Sequence, residues 1–115
     1  MKPPTIDLAA FEELKITAGA DFVRELVETF LVEAPAMLAD LRSSFAGNEA
    51  ERFRRAAHSL KSNSNTFGAT GLAALAKHLE LGGLASVHDS DGAPLDALNS
   101  EYARVARRLT ELKSG

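Results

Sequence analysis

The chain contains no cysteine. Disulfides, thiolate metal sites and a cysteine nucleophile are therefore excluded, and the composition fits a reducing compartment. No apolar run approaches the ~18 residues needed to span a membrane. The opening "MKPPTIDLAA" lacks the apolar stretch of a signal peptide. A cytoplasmic protein without membrane insertion is expected. Strand signals are equally scarce, with few β-branched residues and no alternating runs bounded by hairpin turns. There are no repeats, low-complexity segments or long linkers. A strong charge of either sign is missing too. The net charge is -3 and the pI about 5.6, which argues against nucleic acid as a partner, because phosphate backbones need a basic surface.

What is present suits one soluble domain. The 115 residues are 45% hydrophobic and 25% charged, enough to bury one core but not to add a second lobe. Residues 1–115 are expected to form a single domain, and the starting Met and short length point to a free-standing protein rather than a piece cut from a larger one. Charge is uneven along the chain. Residues 1–40 carry three basic and eight acidic side chains, the remainder ten basic and eight acidic. Arg52, Arg54, Arg55 and Lys61 make a local basic zone around His58, suited to an acidic partner surface or a phosphoryl group.

The apolar period is helical almost throughout. A short first helix follows Thr5 or Asp7 and ends near Gly19, with Leu8, Phe11, Leu14 and Ile16 covering one end of a bundle. The second runs from Asp21 to Ala46. Its apolar stripe (Phe22, Val23, Leu26, Val27, Phe30, Leu31, Ala34, Leu38, Leu41 and Phe45) stays in phase past Pro35, which predicts one kinked helix rather than two. Gly47 stops it. Asn48 caps the third helix in a capping-box variant with Glu51, and Gly68 ends that helix. Thr70 caps the fourth, which turns Leu72, Leu75, Ala76 and Leu79 inward. Gly82-Gly83 either ends this helix or permits close packing within it. A loop from His88 to Pro94 leads to the last helix, whose seam is Leu95, Leu98, Tyr102, Val105, Leu109 and Leu112. Short connections favour antiparallel neighbours. The expected fold is all-α: an antiparallel up-down-up-down four-helix bundle with a short extra N-terminal helix.

In the third helix, Phe53, Ala57, Leu60, Ser64 and Phe67 fall within roughly 40° of one direction at 100° per residue. His58 lies about 140° from that seam and Lys61 about 80°. His58 is thus an outward-facing histidine with Lys61 and Ser62 one turn on. Such a residue is most often mere surface. Two features weigh against that reading. Ser62, Asn63, Ser64, Asn65 and Thr66 are poor helix formers in mid-helix, and their small size leaves room for another surface to reach the imidazole. Lys61 places a cation where an added phosphoryl group would need one. Neutral imidazole is a good nucleophile near pH 7. No second catalytic carboxylate, oxyanion hole or metal site is readable around His58, so a partner would supply the rest of an active site.

The stretch "HSLKSNSNTFGA", His58 to Ala69, resembles the signature of the histidine-containing phosphotransfer (HPt) domain family. That signature has a His, an apolar residue, Lys, a small residue, a small polar run and a Gly ten positions after the His. "LAALAKHLE" and "FVRELVETFLVEAPAMLADL" are similar to the helices that follow and precede it. The resemblance implies a four-helix bundle whose His58 accepts a phosphoryl group, on Nε2, from the phospho-aspartate of a receiver domain and passes it to another receiver. It implies Lys61 as charge partner, with Ser62 and Asn65 as further phosphate or partner contacts and Gly68 as the motif glycine. Many members have Gly where this chain has Ser62; serine is small and able to hydrogen-bond the phosphoryl group. Expected partners are response-regulator receiver domains and a hybrid sensor histidine kinase. The domain itself is expected to be a monomeric phosphoryl carrier and not an enzyme, with no metal or cofactor of its own. The Mg²⁺ belongs to the receiver. The alternative from another class is a helical binding module that docks a receiver or signalling partner without phosphotransfer.

Other candidates are weaker. His78 reads as surface on the fourth helix. His88 with Asp89 and Asp91 makes only a poor metal trio, and "DSDG" lacks the later Glu of a calcium loop. Arg104, Arg107 and Arg108 read as a solvated face. An apolar docking surface near His58 is expected from the second and third helices.

Overall fold

The computed structural model describes residues 5–88 and 92–114. Five helices account for almost all of them: α1 Leu8–Ala18, α2 Ala20–Ala46, α3 Ala50–Thr66, α4 Thr70–His88 and α5 Ala93–Ser114. No strand occurs among the described residues. Helix α2 packs on α3, α3 on α4, α4 on α5 and α5 back on α2, so the four long helices close a ring. Helix α1 lies against α2.

The core is what the helical stripes predict. Val23, Val27, Phe30, Ala34, Leu38 and Leu41 of α2 are buried with Phe53, Ala57 and Leu60 of α3, Leu72, Ala76 and Leu79 of α4, and Leu95, Leu98, Val105 and Leu109 of α5. Ser64 is buried in the same seam, where its Oγ donates to the Leu60 carbonyl at 2.6 Å. The hydroxyl is thereby satisfied without a partner from another helix. Phe30 sits between Phe67 and Tyr102, with ring centroids 5.4 and 6.0 Å away. Helix α2 runs unbroken through Pro35.

Four expectations need correction. Leu8, Ile16 and Phe22 are exposed rather than packed; α1 buries Phe11 and half-buries Leu14, leaving the rest of its apolar surface outside. Asn48 is not the cap of α3. It takes a left-handed φ of 56°, which asparagine tolerates. The amides of Asn48 and Glu49 close the end of α2 by donating to Phe45 and Ser44 carbonyls. The cap position passes to Glu49, without a side-chain cap bond, and Glu51 pairs with Arg54 instead of closing a capping box. Thr70 is likewise the first residue of α4 rather than its cap, with Ala69 accepting the bond from Ala73. The Gly82-Gly83 pair neither ends α4 nor passes through it smoothly. Gly83 has φ 63° and ψ -158° and breaks the helix, which then resumes to His88. That backbone region is essentially closed to other residues.

The turn between α3 and α4 fixes the register of the two helices that carry the site. Gly68 has φ 76° and its carbonyl accepts from the Asp7 amide at 2.8 Å. A Cβ there would stand 3.0 Å from the Asp7 carbonyl oxygen and 3.2 Å from the Ala10 methyl. Both the left-handed backbone and the close approach of α1 demand glycine. Gly68→Ala is expected to destabilise the fold by about 1–3 kcal/mol, read as a lower midpoint in urea or thermal denaturation.

Candidate functional site

His58 sits on the outward side of α3, its side chain 56% exposed. The residues on its own helix set this up: Phe53, Ala57, Leu60 and Ser64 take the inner face, so the position following Ala57 must turn outward. Ser62, one turn on, is exposed and adds no bulk. Its carbonyl accepts from Thr66 Oγ1, and Asn63 Nδ2 donates to the Ser59 carbonyl. These back-bonds satisfy polar side chains that would otherwise compete with the helix.

The imidazole is not free to turn. Nδ1 lies 2.7 Å from Oε2 of Glu80 on α4, and the other carboxylate oxygen, Oε1, accepts from Lys61 Nζ at 2.7 Å. One carboxylate thus ties the histidine of α3 and the lysine one turn on to the neighbouring helix. Its side chain is only 13% exposed. The Lys61 hydrogen bond, and then the His58 bond, hold the Glu80 carboxyl below the usual carboxylate range. A group so shifted keeps its charge at neutral pH and loses it only as pH falls through that lowered range. An ionised carboxylate only accepts, so Nδ1 must carry the proton of this contact. In the neutral ring, Nε2 is then left with its lone pair, on the side away from Glu80.

Glu80 escaped the sequence reading. The signal was present: His58 and Glu80 lie equally far on either side of Ala69, in the turn joining α3 to α4. Two helices folded back on each other about that turn bring these positions level. Glu80 also follows Leu79 at the edge of the buried stripe of α4, where a side chain reaches the adjacent helix.

The other sequence candidates separate into groups. Lys61 stands beside His58 through Glu80. Asn65 is exposed and lines a shallow groove between α3 and α4 together with Lys61, Thr70, Ala73, Ala74 and Lys77. Gly68 belongs to the turn and does not reach the site. The expected basic zone is largely neutralised. Arg52 pairs with Asp40 at 2.8 Å and Glu49 at 3.1 Å, and Arg54 with Glu51 at 3.1 Å. The Arg54 bond in turn lowers the Glu51 carboxyl. His78 is exposed. His88 is the last residue of α4, its ring 4.7 Å from that of Phe45; Asp89 and Asp91 lie outside the described residues. No group of His, Asp and Glu suited to a metal ion is found among the described residues, and no helix there is long and apolar enough to cross a membrane. Arg104 pairs with Glu101 at 2.6 Å, and Arg108 lies 3.5 Å from Glu111.

Comparison with known proteins bears on the fold and the family. The crystal structure of histidine-containing phosphotransfer protein B (HptB) from Pseudomonas aeruginosa PAO1 superposes with a TM-score of 0.86 over 98% of this chain and 97% of that one, at 24% identity. At that identity the likeness speaks for the fold. No curated protein matches the sequence. The sequence model of the Hpt domain matches residues 25–113, from the first turns of α2 to the end of α5. The chain belongs to the Hpt domain family.

Proposed function

We propose that the protein carries a phosphoryl group on His58 between receiver domains of a multistep phosphorelay. The observation that carries this reading is the Glu80 clamp: its carboxylate accepts from Nδ1–H and anchors the exposed ring, which leaves the Nε2 lone pair unengaged. In the step this supports, the Nε2 lone pair attacks phosphorus of a receiver's aspartyl phosphate. The bond from phosphorus to the carboxylate oxygen breaks, and the aspartate leaves with the electron pair. The ring then holds phosphate on Nε2 and its original proton on Nδ1. The positive charge this places on the imidazole faces the Glu80 carboxylate. In the onward step an aspartate of a second receiver attacks phosphorus, and Nε2 leaves as the neutral ring. Lys61 offsets phosphoryl charge, and Ser62 and Asn65 border the approach.

Nothing on this chain binds and activates a phosphate donor in this scheme. The receiver contributes its acidic pocket and Mg²⁺, and a hybrid sensor kinase feeds the relay. The chain is a carrier, consistent with the family's role as phosphocarrier modules. We read residues 1–115 as one unit acting as a cytoplasmic monomer. Its four long helices run up-down-up-down, which the closed ring of helix contacts and the short connections at residues 47–49 and 67–69 support.

The test is transfer itself. Mixed with a ³²P-labelled phospho-receiver and Mg²⁺, the protein is expected to take up label that is stable to base and labile to acid. If it binds the receiver but never acquires label, it is a docking module and not a carrier.

A further inference from the structure

The cations near His58 fall into two sets. Arg52, Arg54 and Lys61 are held by Asp40 and Glu49, Glu51, and Glu80 respectively. Arg55 and Lys77 are exposed and make no hydrogen bond or ion pair with a described residue; Arg55 reaches Glu51 only through space. The two stand on opposite sides of His58. Arg55 lines the groove between α2 and α3, with Met37, Ala56 and Ser59. Lys77 lines the groove between α3 and α4 with Lys61 and Asn65, one turn before Glu80. The exposed strip of α3 that carries His58 runs between these grooves.

We infer that Arg55 and Lys77 are the steering charges of the docking face, and that the partner they fit is a receiver whose phospho-aspartate is ringed by acidic side chains. The inference rests on the phosphotransfer reading. Neutralised cations exert little field beyond their own carboxylates, whereas two unpaired ones about a shared centre give the face a local positive potential on a protein of net charge -3. Such charges act on encounter and on the choice of partner, and little on the bond-making step. Neither side chain touches Glu80, so neither sets the orientation of the imidazole.

The experiment compares wild type, Arg55→Glu/Lys77→Glu and Arg107→Glu. Arg107 is likewise an exposed cation, on α5 and away from α3. Each is given ³²P-phospho-receiver at several salt concentrations, and circular dichroism confirms the folded state. The double variant is expected to lose about 10-fold or more in second-order rate constant at low salt and to show a flattened salt dependence. Its rate at saturating receiver is expected to match wild type, and Arg107→Glu to behave as wild type throughout. Wild-type rates in the double variant, an equal loss in Arg107→Glu, or a loss confined to the saturated rate would each overturn the inference. Absence of label in wild type would instead overturn the phosphotransfer reading on which it stands.

Discussion

His58→Gln is expected to abolish uptake of phosphate while leaving the fold and receiver binding in place. The side chain is more than half exposed and contributes nothing to the core, so its replacement removes no buried contact. Glutamine has no ring nitrogen with a lone pair, and no other described residue presents a comparable one at this face. His78 and His88 lie elsewhere on α4, neither in contact with a carboxylate and lysine pair. The expected result is complete loss of acid-labile label, with a thermal midpoint within about a degree or two of wild type, as befits a surface change of about ±0.5 kcal/mol. Label that persists in His58→Gln would move the acceptor to another residue.

The second large effect is expected at Glu80. Glu80→Ala removes the acceptor from Nδ1 and the carboxylate from Lys61 in one change. The imidazole is then free to rotate and to move its proton to Nε2, the tautomer that cannot attack. Lys61 loses its anchor at the same time. Misplacement of a reacting group by an ångström costs on the order of 10²-fold, and a loss of about that size in transfer rate is the expectation. Glu80→Gln separates the two contributions. The introduced amide oxygen still accepts from Nδ1–H, but it carries no charge and does not oppose the positive phosphoimidazole. This variant is expected to keep most of the forward rate while shortening the lifetime of the phosphorylated form. The readout that a purely structural role would not move is the ¹⁵N shift of the ring nitrogens, which reports the tautomer directly. If Glu80→Ala leaves both tautomer and transfer rate unchanged, the clamp has no part in the chemistry.

How far the sequence foretells this arrangement depends on the range of the interaction concerned. Positions that differ by a helical turn are legible. The inward phase of Phe53, Ala57, Leu60, Ser64 and Phe67 is found as expected, and so is the outward phase of His58. Gly68 as the stop of α3 follows from its local conformation. Contacts between helices are not carried by phase alone. The Glu80 clamp requires the level at which α3 and α4 meet, set at the turn around Gly68. The basic zone is neutralised partly by near neighbours, Glu49 and Glu51 at three-residue spacing, and partly by Asp40 of α2, which phase does not place. Phase also says which side of a helix is apolar, but not whether a neighbour covers it. Phe22 and Ile16 belong to apolar stripes and remain exposed. Leu81, the residue after Glu80, is 76% exposed: the helix presents it away from both neighbours.

In the proposed relay, transfer through this site rests on one ring nitrogen. The most direct measurement is ³¹P–¹⁵N coupling in the phosphorylated, ¹⁵N-labelled protein. The expected result is phosphorus coupled to Nε2 of His58, with Nδ1 still protonated and its proton shifted downfield by the bond to Glu80. Phosphorus on Nδ1 of His58, on another histidine, or on no nitrogen at all would contradict it.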